Sequence, residues 1–150
     1  MRFLAAAIIQ GVILMGAGAH AQVGENQDLV DPNLADVETL LSLPHMSEEI
    51  AAAIVDARPI VSAGQLHELL TPSLNESQLT ALYERLFRQI DLNSASEEEI
   101  MLIPGMTERM VHEFEEYRPY TSLTQFRREI GKYVDEAEVA RLERYVTIRQ

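Results

Sequence analysis

The chain has 150 residues, with 24 acidic against 12 basic, a net charge of −12 and no cysteine. That balance excludes any general electrostatic pull towards nucleic acid or an anionic lipid surface, and favours a basic partner wherever charge alone steers. Without cysteine there is no disulfide and no cysteine nucleophile.

The leading segment reads as a signal peptide over residues 1–21. Arg2 is its only charge, Phe3 to Ala19 is apolar apart from Gln10, and Ala19-His20-Ala21 is a small-x-small cleavage pattern. A retained membrane anchor is the other reading, but the run is short for a span of about 20 residues. Cleavage gives a periplasmic or secreted protein with no membrane span. Loss of Arg2 leaves the mature chain at a net charge of about −13, counted from the same composition. Residues 22–29 read as a short polar, flexible lead.

From Val30 the chain repeats itself. "VDPNLADVETLLSLPHMSEEI" lies over "IDLNSASEEEIMLIPGMTERM", so that Asp31, Asn33, Ala35, Glu38, Pro44, Met46 and Glu48 match Asp91, Asn93, Ala95, Glu98, Pro104, Met106 and Glu108. Arg58-Pro59, Ser62, Gln65, Glu76 and Leu82 match Arg118-Pro119, Ser122, Gln125, Glu136 and Leu142. Two units follow, 30–89 and 90–150.

Each unit predicts four short helices. Asp36 caps the first, and in the second copy Ser96 with Glu99 forms a capping box. Pro44 and Pro104 end it, because the residue before proline avoids helical angles. Ser47 and Thr107 start the second helix, which presents Ile50, Ile54 and Ala57, or Met110, Phe114 and Tyr117, on one face. Pro59 and Pro119 stop it. Capping boxes of Ser62 with Gln65 and Ser122 with Gln125 open the third, and Asn75 with Gln78 and Asp135 with Glu138 open the fourth. The last apolar faces are Leu79, Leu82 and Leu86, then Val139, Leu142 and Val146. Apolar spacing of three and four, never two, makes the fold all-α with no strand. Units of about 60 residues bury little surface alone, so the two are expected to pack together. The aromatic residues read mainly as core.

"IDLNSASEEEIMLIPGMTERMVHEFEEYR" resembles the helix-hairpin-helix domain of ComEA-type competence DNA receptors. The residues that carry the resemblance are Ile90, Asn93, Ala95, Glu98, Glu99, Ile100, Ile103, Pro104, Gly105, Tyr117, Arg118 and Phe126. "EIGKYVDEAEV" is similar to a worn second hairpin, and "LLTPSLNESQL" is its counterpart in the first unit. The resemblance implies tandem helix-hairpin-helix units, export or tethering, and binding of duplex DNA through its phosphate backbone, without sequence preference. A related fold serves as an extrinsic structural subunit of photosystem II, so the fold alone does not fix the function.

Hairpins of this type carry two glycines that let the backbone approach a phosphate, which the next helix N-terminus then binds. The first hairpin here is His45-Met46-Ser47, with neither glycine; the second is Gly105-Met106-Thr107, with only the first. Ser47 and Thr107 are expected to occupy N–H groups that a phosphate needs, and Glu48, Glu49 and Glu108 favour the helix dipole while repelling an anion. The candidate nucleic-acid residues are therefore in the second unit: Gly105, Met106, Thr107, Arg109, Arg127, Arg128, Gly131 and Lys132, with Arg141, Arg144 and Arg149 further on. These cations either form a basic strip or pair with Glu129, Glu138 and Glu143. His45, His67 and His112 are isolated, no glycine-rich phosphate loop or GxSxG is present, and neither catalysis, a metal nor a cofactor is expected. The competing function is an acidic scaffold for a basic protein partner, with hairpins kept for structure only.

Overall fold

The computed structural model describes residues 22–23 and 29–149; the expected signal peptide, its cleavage point and most of the lead lie outside the described residues. The described chain is mostly helical. Strand β1 (Gln22–Val23) precedes α1 (Val37–Leu41), α2 (Glu48–Asp56), α3 (Ala63–Leu70) and α4 (Glu76–Tyr83). Then come β2 (Ile90–Asp91), α5 (Glu97–Met101), α6 (Glu108–Glu116), α7 (Leu123–Ile130), α8 (Glu136–Glu143) and β3 (Val146–Ile148). Each helix from α5 to α8 begins and ends sixty residues after its counterpart among α1 to α4.

Local chemistry sets these bounds. Every helix starts on a polar cap whose side chain accepts an amide three residues on: Asp36, Ser47, Ser62, Asn75, Ser96, Thr107, Ser122 and Asp135. Reciprocal capping boxes form at Asn75–Gln78 and Ser96–Glu99. At α3 and α7 the expected box is displaced by one residue: Gln65 Oε1 accepts the amide of Val61 at 2.8 Å, and Gln125 Oε1 that of Thr121 at 2.9 Å. The amide flanking the cap is taken because the extended chain before Ser62 and Ser122 brings it within the longer glutamine's reach. Glu138 does not close a box on Asp135, because Arg141 takes both its oxygens.

The strands are a departure from the expected all-helical reading. After Glu84 and Arg144 cap α4 and α8, the chain turns extended. Leu86 and Val146, expected on helical faces, are instead buried in bridges, Leu86 parallel to Val30 and Val146 parallel to Ile90. β3 lies between β2 and β1, and β1 pairs antiparallel through Gln22↔Ile148 and Val23↔Thr147. Segments of two or three residues carry no visible alternation, and all three residues of β3 are buried. The lead is accordingly not free over its described residues. Its backbone satisfies the open edge of β3, and Leu29 is buried.

Buried side chains form one cluster that runs through both halves. Leu40, Leu43, Ile54, Ile60, Leu66 and Leu82 are buried, and so are Ile100, Ile103, Phe114, Tyr120, Phe126 and Leu142 at the matching positions. Aromatic residues replace aliphatic ones in the second set, where Phe114 meets Phe126 edge-on at 5.3 Å. Tyr83, Phe87 and Tyr145 link the halves through T-shaped contacts of 5.6 and 5.1 Å. Glu99 adds a polar tie by accepting the Gly64 amide at 3.2 Å.

A clamp built from the repeated residues holds each helical hairpin shut. Asn33 donates to the Ile60 carbonyl at 2.8 Å and accepts the Ile60 amide at 2.7 Å. Asn93 does the same with Tyr120, at 2.9 and 2.7 Å. Arg58 donates to the carbonyls of Pro32 and Ala35 at 2.7 and 2.6 Å; Arg118 donates to those of Leu92 and Ala95 at 2.6 and 2.7 Å. The loop entering the first helix of each set is thus tied to the loop leaving the second. The repeated Asn and Arg are explained by backbone satisfaction, with no ligand required.

Candidate nucleic-acid interface

The two hairpins share a backbone and differ in chemistry. His45 has φ 61° and Gly105 has φ 77°, the left-handed region that tightens each corner. Glycine enters that region freely; a side chain there is disfavoured by about 1–2 kcal/mol. The corner therefore wants its glycine for conformation, quite apart from any ligand, and His45 occupies the position under strain. Met46 and Met106 fold inwards against the core.

At the second corner Gly105 is exposed, and a Cβ placed on it would stand 3.4 Å from Nη2 of Arg141. Thr107 Oγ accepts the Met110 amide at 3.3 Å. That is one N–H of the first turn; among the described residues the amides of Glu108 and Arg109 make no hydrogen bond. The cap thus fills only part of the expected anion position. Arg109 is exposed, with its guanidinium carbon 5.8 Å from the centre of the Tyr133 ring. Tyr133 and Tyr117 share a hydroxyl hydrogen bond of 2.7 Å, and Lys132 Nζ lies 4.8 Å from the Tyr117 ring centre. The tyrosine pair brings Arg109 and Lys132, far apart in sequence, to one side of the hairpin.

The other candidate cations are held by carboxylates. Arg127 forks onto buried Glu143 at 2.6 and 2.7 Å. Arg128 and Lys132 both bind Glu129, whose carboxyl is held below the usual carboxylate range, first by Lys132 and then by Arg128. Arg141 forks onto Glu138 at 2.7 and 2.7 Å, which raises the guanidinium's pKa further. Of the two arrangements open in the sequence, Arg127, Arg128, Lys132 and Arg141 have the paired one, while Arg144 and Arg149 form no ion pair among the described residues. Gly131 caps α7 at φ −62°, ψ −7°, a right-handed conformation; it forms no second glycine corner of the Gly105 kind. Arg127 and Gly131 line a separate groove between α7 and α8.

In the first hairpin Ser47 accepts the Ile50 amide at 3.2 Å, and Glu48 and Glu49 fill the first turn. Glu49 stands where the second copy has Arg109. Arg58 is committed to its clamp and Arg88 to Asp31 at 3.2 Å.

The sequence named Arg141 and Arg144 as further candidate cations but not the cluster they form where the two halves meet. Glu84 and Arg85 follow α4, while Arg141, Arg144 and Tyr145 end α8, and the five line a cavity of about 520 Å³. The sixty-residue register makes the end of α8 equivalent to the end of α4, but nothing in the sequence places the two side by side. Elsewhere Glu97, Met101, Glu108, Val111, His112 and Glu115 line a cleft of about 300 Å³ between α5 and α6. No group of three or more His, Cys, Asp or Glu among the described residues is placed to hold a metal ion, and no described helix is long and apolar enough to cross a membrane.

Comparison with protein-family models, with curated proteins and with solved structures gives no match for this chain.

Proposed function

We propose that this is an exported, non-enzymatic protein of tandem helix-hairpin-helix units that contacts duplex DNA through its phosphate backbone, using the second hairpin. The observation that carries the reading is the exposed left-handed Gly105, with Arg141 at its open side, Arg109 in the following turn and two unfilled amides between. Such a corner lets a phosphate approach the backbone closely and meets it with N–H groups and guanidinium charge. The first hairpin, with Glu49 in place of an arginine, serves as architecture. Export rests on the leader pattern, and a role in DNA uptake on the resemblance.

Binding is weak on this reading, because Glu108 opposes it and most nearby cations are paired. Anisotropy of a labelled duplex titrated with the mature chain checks it. Saturation is expected with a Kd of about 1–10 µM at ~20 mM salt, and affinity falls at least tenfold by ~150 mM. No binding at tens of micromolar protein in low salt, ~20 mM, ends the proposal.

A second reading, a scaffold for a basic protein partner, is favoured by the α5–α6 cleft, which Met101 and Val111 line together with Glu97, Glu108 and Glu115, the last already paired with Arg118. A lysine-rich peptide that binds the chain in low salt while duplex does not would select it.

A further inference from the structure

We propose that the junction cavity lined by Glu84, Arg85, Arg141, Arg144 and Tyr145 is a binding site for a phosphate group, adjoining the hairpin corner through Arg141 and distinct from it in Arg85 and Arg144. Three arginines line it in a chain of net charge −12, against the single lining carboxylate of Glu84. Arg141 is neutralised from behind by Glu138. Arg85 is exposed and forms no ion pair among the described residues. Arg144 is the telling residue. Its Nε is buried with no hydrogen-bond partner, and its Nη2 reaches only the Glu84 carbonyl, at 3.5 Å.

Helix ends do attract arginines, because they complement the dipole and satisfy free carbonyls. A capping role does not account for this one. Its Nε–Nη2 edge, the geometry suited to two parallel bonds with a tetrahedral oxyanion, is left almost unused, although a buried unpaired donor is unfavourable. The edge is also well supported. Gln89 donates to the Arg144 carbonyl at 2.8 Å, fixing its backbone, and Tyr145 lies 6.0 Å beneath both Arg141 and Arg144. Val30 donates to the Arg85 carbonyl at 2.7 Å, so the opposite wall is anchored too. The volume of about 520 Å³ accommodates a phosphate with an attached organic group. Guanidinium forks select phosphate oxygens over a spherical anion such as chloride.

The test uses the ¹⁵N-labelled mature chain, titrated with inorganic phosphate against sodium chloride at matched ionic strength. Saturable shifts are expected at the amides of Arg85, Arg144 and Tyr145 and at the arginine Nε–H signals, with a Kd on the order of millimolar. Arg144→Gln and Arg85→Gln, each with an otherwise unchanged spectrum, should weaken phosphate about tenfold or more. Shifts that do not saturate, that chloride reproduces, or that both variants retain overturn the proposal. Two further probes separate the sources of the phosphate. A nucleoside monophosphate that saturates the same signals when duplex does not indicates a small free ligand; duplex that does so indicates a nucleic-acid backbone. Arg109→Glu distinguishes this site from the hairpin, since it should abolish the hairpin's share of duplex binding and leave the phosphate shifts intact.

Discussion

Arg118→Ala should destabilise the chain by about 3–5 kcal/mol, as much as truncating a buried core phenylalanine. Arg118 spans three acceptors: the Leu92 carbonyl at 2.6 Å, the Ala95 carbonyl at 2.7 Å and Glu115 at 3.1 Å. Leu92 and Ala95 are buried, so truncation strips the donor and leaves carbonyls that water reaches poorly. Hydrogen bonds from a charged donor contribute about 1.5–3 kcal/mol each, and the half-buried position discounts their sum. A loss of this size is a large part of the roughly 5–15 kcal/mol that holds a domain together. Arg118→Lys should recover less than half of it, because one ammonium nitrogen lacks the fixed spacing of Nε and Nη2 that lets the guanidinium meet both carbonyls at once. Arg58→Ala should behave alike, since Arg58 makes the matching pair of bonds. Urea unfolding followed by helical circular dichroism reads all three, with exposed Arg149→Ala as a control expected within ~0.5 kcal/mol of the parent. A loss below ~1 kcal/mol for Arg118→Ala would show that the clamp is dispensable.

The second large effect is a gain. Thr107→Gly combined with Glu108→Lys should tighten duplex binding by about ten- to a hundredfold at low salt. Glu108→Lys changes the charge by two units beside the proposed phosphate, worth about 1.4 kcal/mol at ~6 Å in water-like surroundings. Thr107→Gly frees the Met110 amide for an additional bond, at a helix cost of only a few tenths of a kcal/mol. Ser47→Gly with Glu48→Lys in the first hairpin should gain far less, because Glu49 remains in that turn and Arg58 and Arg88 are committed elsewhere. Anisotropy titrations of the two double variants against the parent read the difference. Equal gains from both hairpins, or none from either, would contradict the asymmetry between them.

Much of the helical framework is legible in the chain. Proline stops and polar caps are local signals, and Asp36, Ser47, Ser96 and Thr107 cap where their residue types place them. The sixty-residue register is legible for the same reason, as a string comparison that needs no geometry. The illegible parts are non-local. β3 exists only because β2 and the lead lie beside it, and nothing in Val146-Thr147-Ile148 announces that partnership. The displaced glutamine caps depend on how extended chain enters α3 and α7.

The candidate site divides along the same line. That Thr107 caps and Glu108 sits in the first turn was readable; that two amides stay open beside Gly105 was not. Glu129, Glu138 and Glu143 were visible as possible counterions; the pairs on Glu129 and Glu138 are local along the chain, and only Arg127 with Glu143 required the packing of α7 on α8. The repeated Asn93 and Arg118 served in the sequence as signs of resemblance, and their physical task, clamping two loops, emerged only from their partners. The junction arginines draw their meaning from the meeting of two helix ends that sequence holds far apart.

The reading rests most directly on where duplex touches the protein, so the decisive measurement is the amide shift map of the ¹⁵N-labelled mature chain on addition of a short duplex at low salt. Shifts are expected to concentrate on Gly105 to Arg109 and to leave His45 to Glu49 unmoved. Equal perturbation of both corners, perturbation centred instead on the cleft of Glu97, Met101 and Glu115, or an unchanged spectrum would contradict it.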